Sequence, residues 1–225
     1  MKVIESRITE KSNVVILTIE EDDEKRSQKQ FSSVRCGLCL PTVEMEGFYV
    51  VLGEEFRRGT RFEGQPLERG KILFLTEHES SSMFFPHIID SLLADASRYA
   101  FKNIYLDYDF EKKRKVDEVK FLSDLVYERT SRYSVSFTTA PYYEDFSFGI
   151  SLINSYLERG LLTLSGNSLA LQQLRELKRA ELAPGEGETK YNALNALRFV
   201  LEHLIRSNRC GRCGPGRNGK ANPIM

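Results

Sequence analysis

Between Thr76 and Phe85 the hydrophobic pattern of this chain changes its period, from about two residues to about 3.6. Before that point the apolar runs are short and rich in β-branched residues: Asn13 to Ile19 (NVVILTI), Phe48 to Leu52 (FYVVL) and Lys71 to Thr76 (KILFLT). Each has strand length, and hairpin connections are the economical way to join them. After it, Phe85, Ile88, Ile89, Leu92, Ala96 and Tyr99 fall on one helical face, and Pro86 is tolerated in the first turn. Three strands followed by an amphipathic helix restrict the chain to a layered fold of sheet and helices.

Short strands and helices alternate from there. Asn103 to Asp107 (NIYLD) is an apolar strand ending in an acid, with Asp109 two residues on. A polar helix over about 115–129 and a strand at Ser134 to Thr138 follow. Phe148, Ile153, Tyr156 and Leu157 mark a helix stopped by Gly160, and Leu161 to Leu164 is extended. Leu171, Leu174, Leu177 and Leu182 stripe another helix up to the breaker Ala183-Pro-Gly-Glu-Gly187. The final helix, KYNALNALRFVLEHL, begins at Lys190 and puts Leu194, Leu197, Leu201 and Leu204 on its buried side.

With 225 residues and 41% hydrophobic content the chain can bury one sizeable core. We read residues 1–207 as one unit, with a polar insertion at 24–47 and a basic, glycine-rich tail at 208–225. Basic and acidic residues number 32 each, so no global field draws the protein to nucleic acid or membrane, and any basic patch is local. No apolar run has the length to span a bilayer, and the first residues lack the apolar core of a signal peptide. A soluble cytoplasmic protein is expected.

The four cysteines form two matching pairs, Arg35-Cys36-Gly-Leu-Cys39 and Arg209-Cys210-Gly-Arg-Cys213. A Cys-x-x-Cys turn aims two thiolates at one centre, and two such turns supply the tetrahedral sulfur shell that Zn²⁺ prefers. A structural zinc on Cys36, Cys39, Cys210 and Cys213 would clamp distant segments together. The other reading is two unrelated turns with free thiols. The histidines His78, His87 and His203 show no ligand spacing, and no G-x-x-x-x-G-K-[ST] nucleotide-binding loop occurs.

The order of elements, three leading strands, helix, strand ending in aspartate, strand, then helices, is that of an RNase H-like domain. Within that class NIYLDYD, ISLINSYLERGLLTLSGNSLALQQLREL and ETKYNALNALRFVLEHL resemble segments of the C-terminal nuclease domain of phage terminase large subunits. These segments span about half the chain, and the ATPase half of a terminase has no counterpart in this sequence. The resemblance implies a mixed sheet, antiparallel then parallel, with helices on both faces. It also implies metal-dependent DNA cleavage, in which two Mg²⁺ or Mn²⁺ ions held by hard carboxylate oxygens activate water and stabilise the leaving oxygen.

In the family the acids come from the first strand, the end of the fourth and the start of the last helix. Asp107 matches the second position, with Asp109 nearby. Glu20, at the end of the first apolar run, is the candidate for the first position, although the family places its acid nearer the strand's middle. At the last helix the matching residue is Asn192, with Asn195 a turn later; asparagine offers one neutral carbonyl ligand and no charge to neutralise two cations. The basic run Lys112, Lys113, Arg114 and Lys115 lies where it would hold a phosphate backbone beside Asp107. Two functions follow: a nuclease acting on DNA with a degenerate acid set, or a noncatalytic module of the same fold with a structural zinc and a DNA-packaging or phage structural partner.

Overall fold

The computed structural model describes residues 2–9, 14–20, 26–40, 46–55, 70–80, 85–106, 128, 130, 131, 133–139, 145–182, 187 and 189–210. Its strands are β1 (Lys2–Thr9), β2 (Val14–Glu20), β3 (Arg26–Cys39), β4 (Gly47–Glu55), β5 (Ile72–Ser80), β6 (Asn103–Leu106), β7 (Ser136–Thr139) and β8 (Leu162–Thr163). Its helices are α1 (Phe85–Tyr99), α2 (Phe146–Glu158), α3 (Leu169–Glu176) and α4 (Asn192–Cys210).

The centre of the sheet is β3, a strand of fourteen residues whose two halves have different neighbours. Its first half pairs antiparallel with β2, from Arg26 opposite Glu20 to Phe31 opposite Val15. Its second half pairs antiparallel with β4 on one edge and parallel with β6 on the other, where Arg35, Cys36 and Gly37 face Asn103, Ile104 and Tyr105. Beyond β4 lies antiparallel β5, and beyond β6 lies parallel β7. The order β5-β4-β3-β6-β7, antiparallel on one side of β3 and parallel on the other, is the RNase H-like mixed sheet that the resemblance implies, with helices on both faces.

This topology corrects two expectations. The run Asn13 to Ile19 is a strand, yet β3 and not β2 is the first strand of the mixed sheet, so β1 and β2 extend it outward from β3's first half. The supposed insertion at 24–47 contains that central strand. Its sequence RSQKQFSSVRCGLC is polar where it pairs β2 and apolar where β4 and β6 flank it, which explains why no single alternation runs through it.

Strand alternation sorts the core into two layers. Val34, Cys36, Leu38, Tyr49, Val51, Ile104 and Leu106 point to one face, under Ile88, Ile89, Leu92 and Ala96 of α1. Cys39, Phe48, Val50, Leu52 and Tyr105 point to the other, under α2 and α4. Helix α4 lies close to β3: a Cβ on Gly37 would stand 1.9 Å from the Ala196 carbonyl oxygen, so only glycine lets the two backbones approach this far. Helix α2 is capped by Asp145, whose Oδ1 accepts from the Phe148 N–H at 2.7 Å, and is followed by Gly160 at φ +62°. The leucine-rich segment is broken: α3 stops at Glu176, Leu177 is extended, and a 3-10 turn occupies Arg179–Leu182. The polar helix expected over 115–129 lies outside the described residues except at residue 128. Among the described residues no helix is long and apolar enough to cross a membrane.

Candidate functional site

Parallel β3 and β6 are neighbours, yet the chain leaves β3 toward β4 on one side while β6 borders β7 on the other. Such a reversal opens a crevice at the carboxyl ends of the parallel strands, the usual ligand position in open α/β sheets. Here those ends are Cys39 with Leu40 and Leu106, and the first turn of α4 stands beside them through Asn192.

Asn192 is 3% exposed and every polar valence of its side chain is engaged. Its Oδ1 accepts from Gln173 Nε2 at 2.7 Å and from the Ala193 N–H at 2.8 Å. Its Nδ2 donates to the Glu46 carbonyl at 3.1 Å and to Glu79 Oε1 at 3.0 Å. An amide oxygen has two lone pairs, so none is left for a cation. Asn192 therefore does not fit the ligand role the sequence suggested; it ties α4 to β5, α3 and the residue before β4. The first N–H groups of α4 are capped from another helix by Gln173, whose Oε1 accepts from the Ala193 and Leu194 N–H groups at 3.0 and 3.3 Å. Sequence reasoning missed Gln173, because a cap supplied from another helix leaves no local spacing to find.

One turn on, Asn195 Oδ1 accepts from Arg198 Nε at 3.0 Å, and Arg198 Nη1 donates to Glu202 Oε1 at 3.3 Å. All three side chains are buried, and the guanidinium lies 4.9 Å from the Phe199 ring centroid and 5.8 Å from that of Phe146. Tyr105 of β6 packs against His203 with ring centroids 4.4 Å apart.

The end of the central strand is occupied by Cys39, 6% exposed among apolar neighbours. A thiol is a soft ligand, whereas Mg²⁺ and Mn²⁺ take hard oxygens. Glu20 does not fill that place. It pairs with Arg26, eleven residues along β3 from Gly37, a strand path of ~36 Å at ~3.3 Å per residue. Asp107 and Asp109, together with Lys112, Lys113, Arg114 and Lys115, lie outside the described residues.

The shared zinc shell also fails on geometry. Cys36 and Cys39 lie in a strand rather than a turn, and their odd separation sends them to opposite faces, Cys36 toward α1 and Cys39 toward α4. Burial, aided by the nearby negative charge of Asp95, pushes the Cys36 thiol well above its usual range. Cys210 ends α4 ten residues beyond Val200, the residue that flanks Gly37, or ~15 Å further along the helix axis. Cys213 lies outside the described residues. One ion cannot take both Cys36 and Cys39, and among the described residues no group of three or more His, Cys, Asp or Glu side chains could hold a metal.

No protein-family model matches the chain, and no curated protein matches it. Among solved structures it is similar to the large terminase nuclease from thermophilic phage G20c with bound zinc, at 13% identity and a TM-score of 0.46, over 88% of this chain and 90% of that one. It is also similar to Thermus thermophilus RuvC, at 13% identity and a TM-score of 0.39, over 79% of this chain and 96% of that one. The assignment of an RNase H-like fold rests on the strand order described above.

Proposed function

We propose that this chain is a noncatalytic RNase H-like module that engages DNA at the β3–β6 crevice without two-metal hydrolysis. The observation that carries the reading is Asn192, which stands where the resemblance implies a metal-binding acid and whose amide is fully committed to protein partners. Cys39 at the end of β3 supports it, since a buried thiol there supplies neither charge nor hard oxygen. The residues that would engage the phosphate backbone are Lys112, Lys113, Arg114 and Lys115, which follow β6 closely in sequence. Phage packaging proteins in the host cytoplasm are the partners the resemblance suggests.

One observation favours the second reading, a nuclease with a rearranged acid set. Strand β6 ends at Leu106, directly before Asp107, and with Asp109 this residue would offer carboxylates to Mg²⁺ or Mn²⁺. Titration of the purified protein with Mn²⁺ in the presence of supercoiled plasmid separates the two. The expected result is retarded DNA that stays supercoiled in both the wild type and Asp107→Asn. Mn²⁺-dependent nicking that disappears in Asp107→Asn overturns the noncatalytic reading, and unretarded DNA overturns the DNA-binding part.

A further inference from the structure

Helix α1 ends at Tyr99, and Ala100 takes the left-handed conformation at φ +56°, where glycine is usual, to turn the chain toward β6. Residues 133–135 come in beside that turn on their way to β7, where the Ser136 N–H donates to the Lys102 carbonyl at 2.7 Å. Between the helix end and this incoming segment lies a cavity of about 300 Å³, at the lower end of the range for small-ligand sites. It stands at the amino ends of the parallel strands β6 and β7, opposite to the β3–β6 crevice.

The floor of the cavity is apolar. Ala96 and Phe101 are buried members of the α1-side core, and Val135 packs against it. Tyr133 forms a wall with 50% of its surface exposed, and its side chain has no ring contact or hydrogen bond among the described residues. Lys102 is the only charged residue of the described lining; it is exposed, and its ammonium makes no ion pair among the described residues. Ser134 adds an exposed hydroxyl.

These groups restrict the ligand. A cation would meet Lys102 with no carboxylate in the lining to hold it. A wholly apolar molecule would make no use of the ammonium, and a bare anion would leave the floor and the Tyr133 ring uncovered. A flat ring bearing an anionic group uses all of them: the ring stacks on Tyr133, and the anion accepts charge-assisted N–H bonds from Lys102. A nucleotide has both parts, and its sugar offers oxygens to the Ser134 hydroxyl.

We propose that the cavity between the end of α1 and residues 133–135 binds a nucleotide unit, its base stacked on Tyr133 and its phosphate held by Lys102. The unit comes as a free mononucleotide or as one residue of single-stranded DNA. The site is independent of the β3–β6 crevice and of whether the protein cleaves DNA.

The test is an NMR titration of isotopically labelled full-length protein, in EDTA, with deoxyadenosine 5′-monophosphate beside deoxyadenosine and inorganic phosphate at equal concentrations. Saturable upfield shifts of the Tyr133 ring protons, with shifts of the Lys102 and Ser134 amides, are expected and should be strongest for the nucleotide. Tyr133→Ala should weaken binding about tenfold and Tyr133→Phe should preserve it. Lys102→Gln should reduce the affinity for the nucleotide to that for deoxyadenosine. A single-stranded deoxyadenylate hexamer supports the DNA source if it binds more tightly than the mononucleotide, and the free-nucleotide source if it binds more weakly. Equal binding of nucleotide and nucleoside by the wild type, undiminished binding in Tyr133→Ala, or no saturable shift overturns the proposal.

Discussion

On the α1 side of the sheet, Ile88, Ile89 and Leu92 rest on Val34, Leu38 and Val51, and the layer is held by apolar contact with Tyr49 donating to Asp95 at its margin (2.8 Å). On the α4 side the same strands meet a helix that brings Asn192, Asn195, Arg198 and Glu202 into the interior. The helix also approaches so closely that β3 carries glycine where they cross. A layer held by dispersion and burial tolerates exchange of shapes, whereas one held by directional bonds and backbone proximity tolerates few substitutions. The chain thus places its least replaceable geometry where an RNase H-like fold has its crevice, and what is fixed there is an amide network.

Gly37→Val should give the largest effect. Its Cβ would collide with the Ala196 carbonyl, so α4 must move, and we expect a loss of ~3 kcal/mol or more in urea unfolding, with failure to fold as the extreme. Asn192→Asp comes next. It keeps the shape but removes the two donors to Glu46 and Glu79 and sets a second carboxylate against Glu79, for an expected loss of ~1–3 kcal/mol at neutral pH. Leu92→Met on the opposite face conserves volume and should cost less than ~1.5 kcal/mol. Equal costs for Leu92→Met and Asn192→Asp would break the contrast between the faces.

The smallest effect lies at the rim of the α4 layer and is read by pH. Glu181, in the 3-10 turn, accepts from Lys190 Nζ, from Tyr191 Oη at 2.7 Å and from the Lys178 N–H at 2.7 Å. These bonds, that of Lys190 foremost, hold its carboxyl down from 4.5 to about 2. A depressed acid stabilises the fold above its unfolded value, so this contribution is complete above pH 4.5 and is lost as pH falls toward 2. Comparing thermal unfolding of Glu181→Gln with the wild type across that window should show the difference between them shrinking as the pH drops.

Strands and helices with one dominant neighbourhood were legible in the sequence. KILFLT and NIYLD are packed on both faces and so read as short continuous apolar runs, while the stripe from Ile88 to Tyr99 faces a single layer, so each pattern survives in the residue order. The central strand was not legible, because β3 exchanges one neighbour for another halfway along and its residue pattern changes with it. Misreading β3 had two consequences. Glu20 was assigned to a site that it does not reach, and Cys36 and Cys39 were read as a turn when alternation divides them between the two layers. The role of Asn192 was half legible. Its lack of charge was plain, whereas its partners Glu46, Glu79 and Gln173 come from three separate segments that only the fold assembles.

The glycine contact between β3 and α4 also sets a timetable. Gly37 emerges from the ribosome long before Ala196, and at ~5–20 residues per second the interval is ~8–30 s. During that time the α4 face of β3 has been synthesised but its covering helix has not. The nascent sheet must therefore carry an uncovered apolar groove, and the step that closes it belongs to the last helix described here.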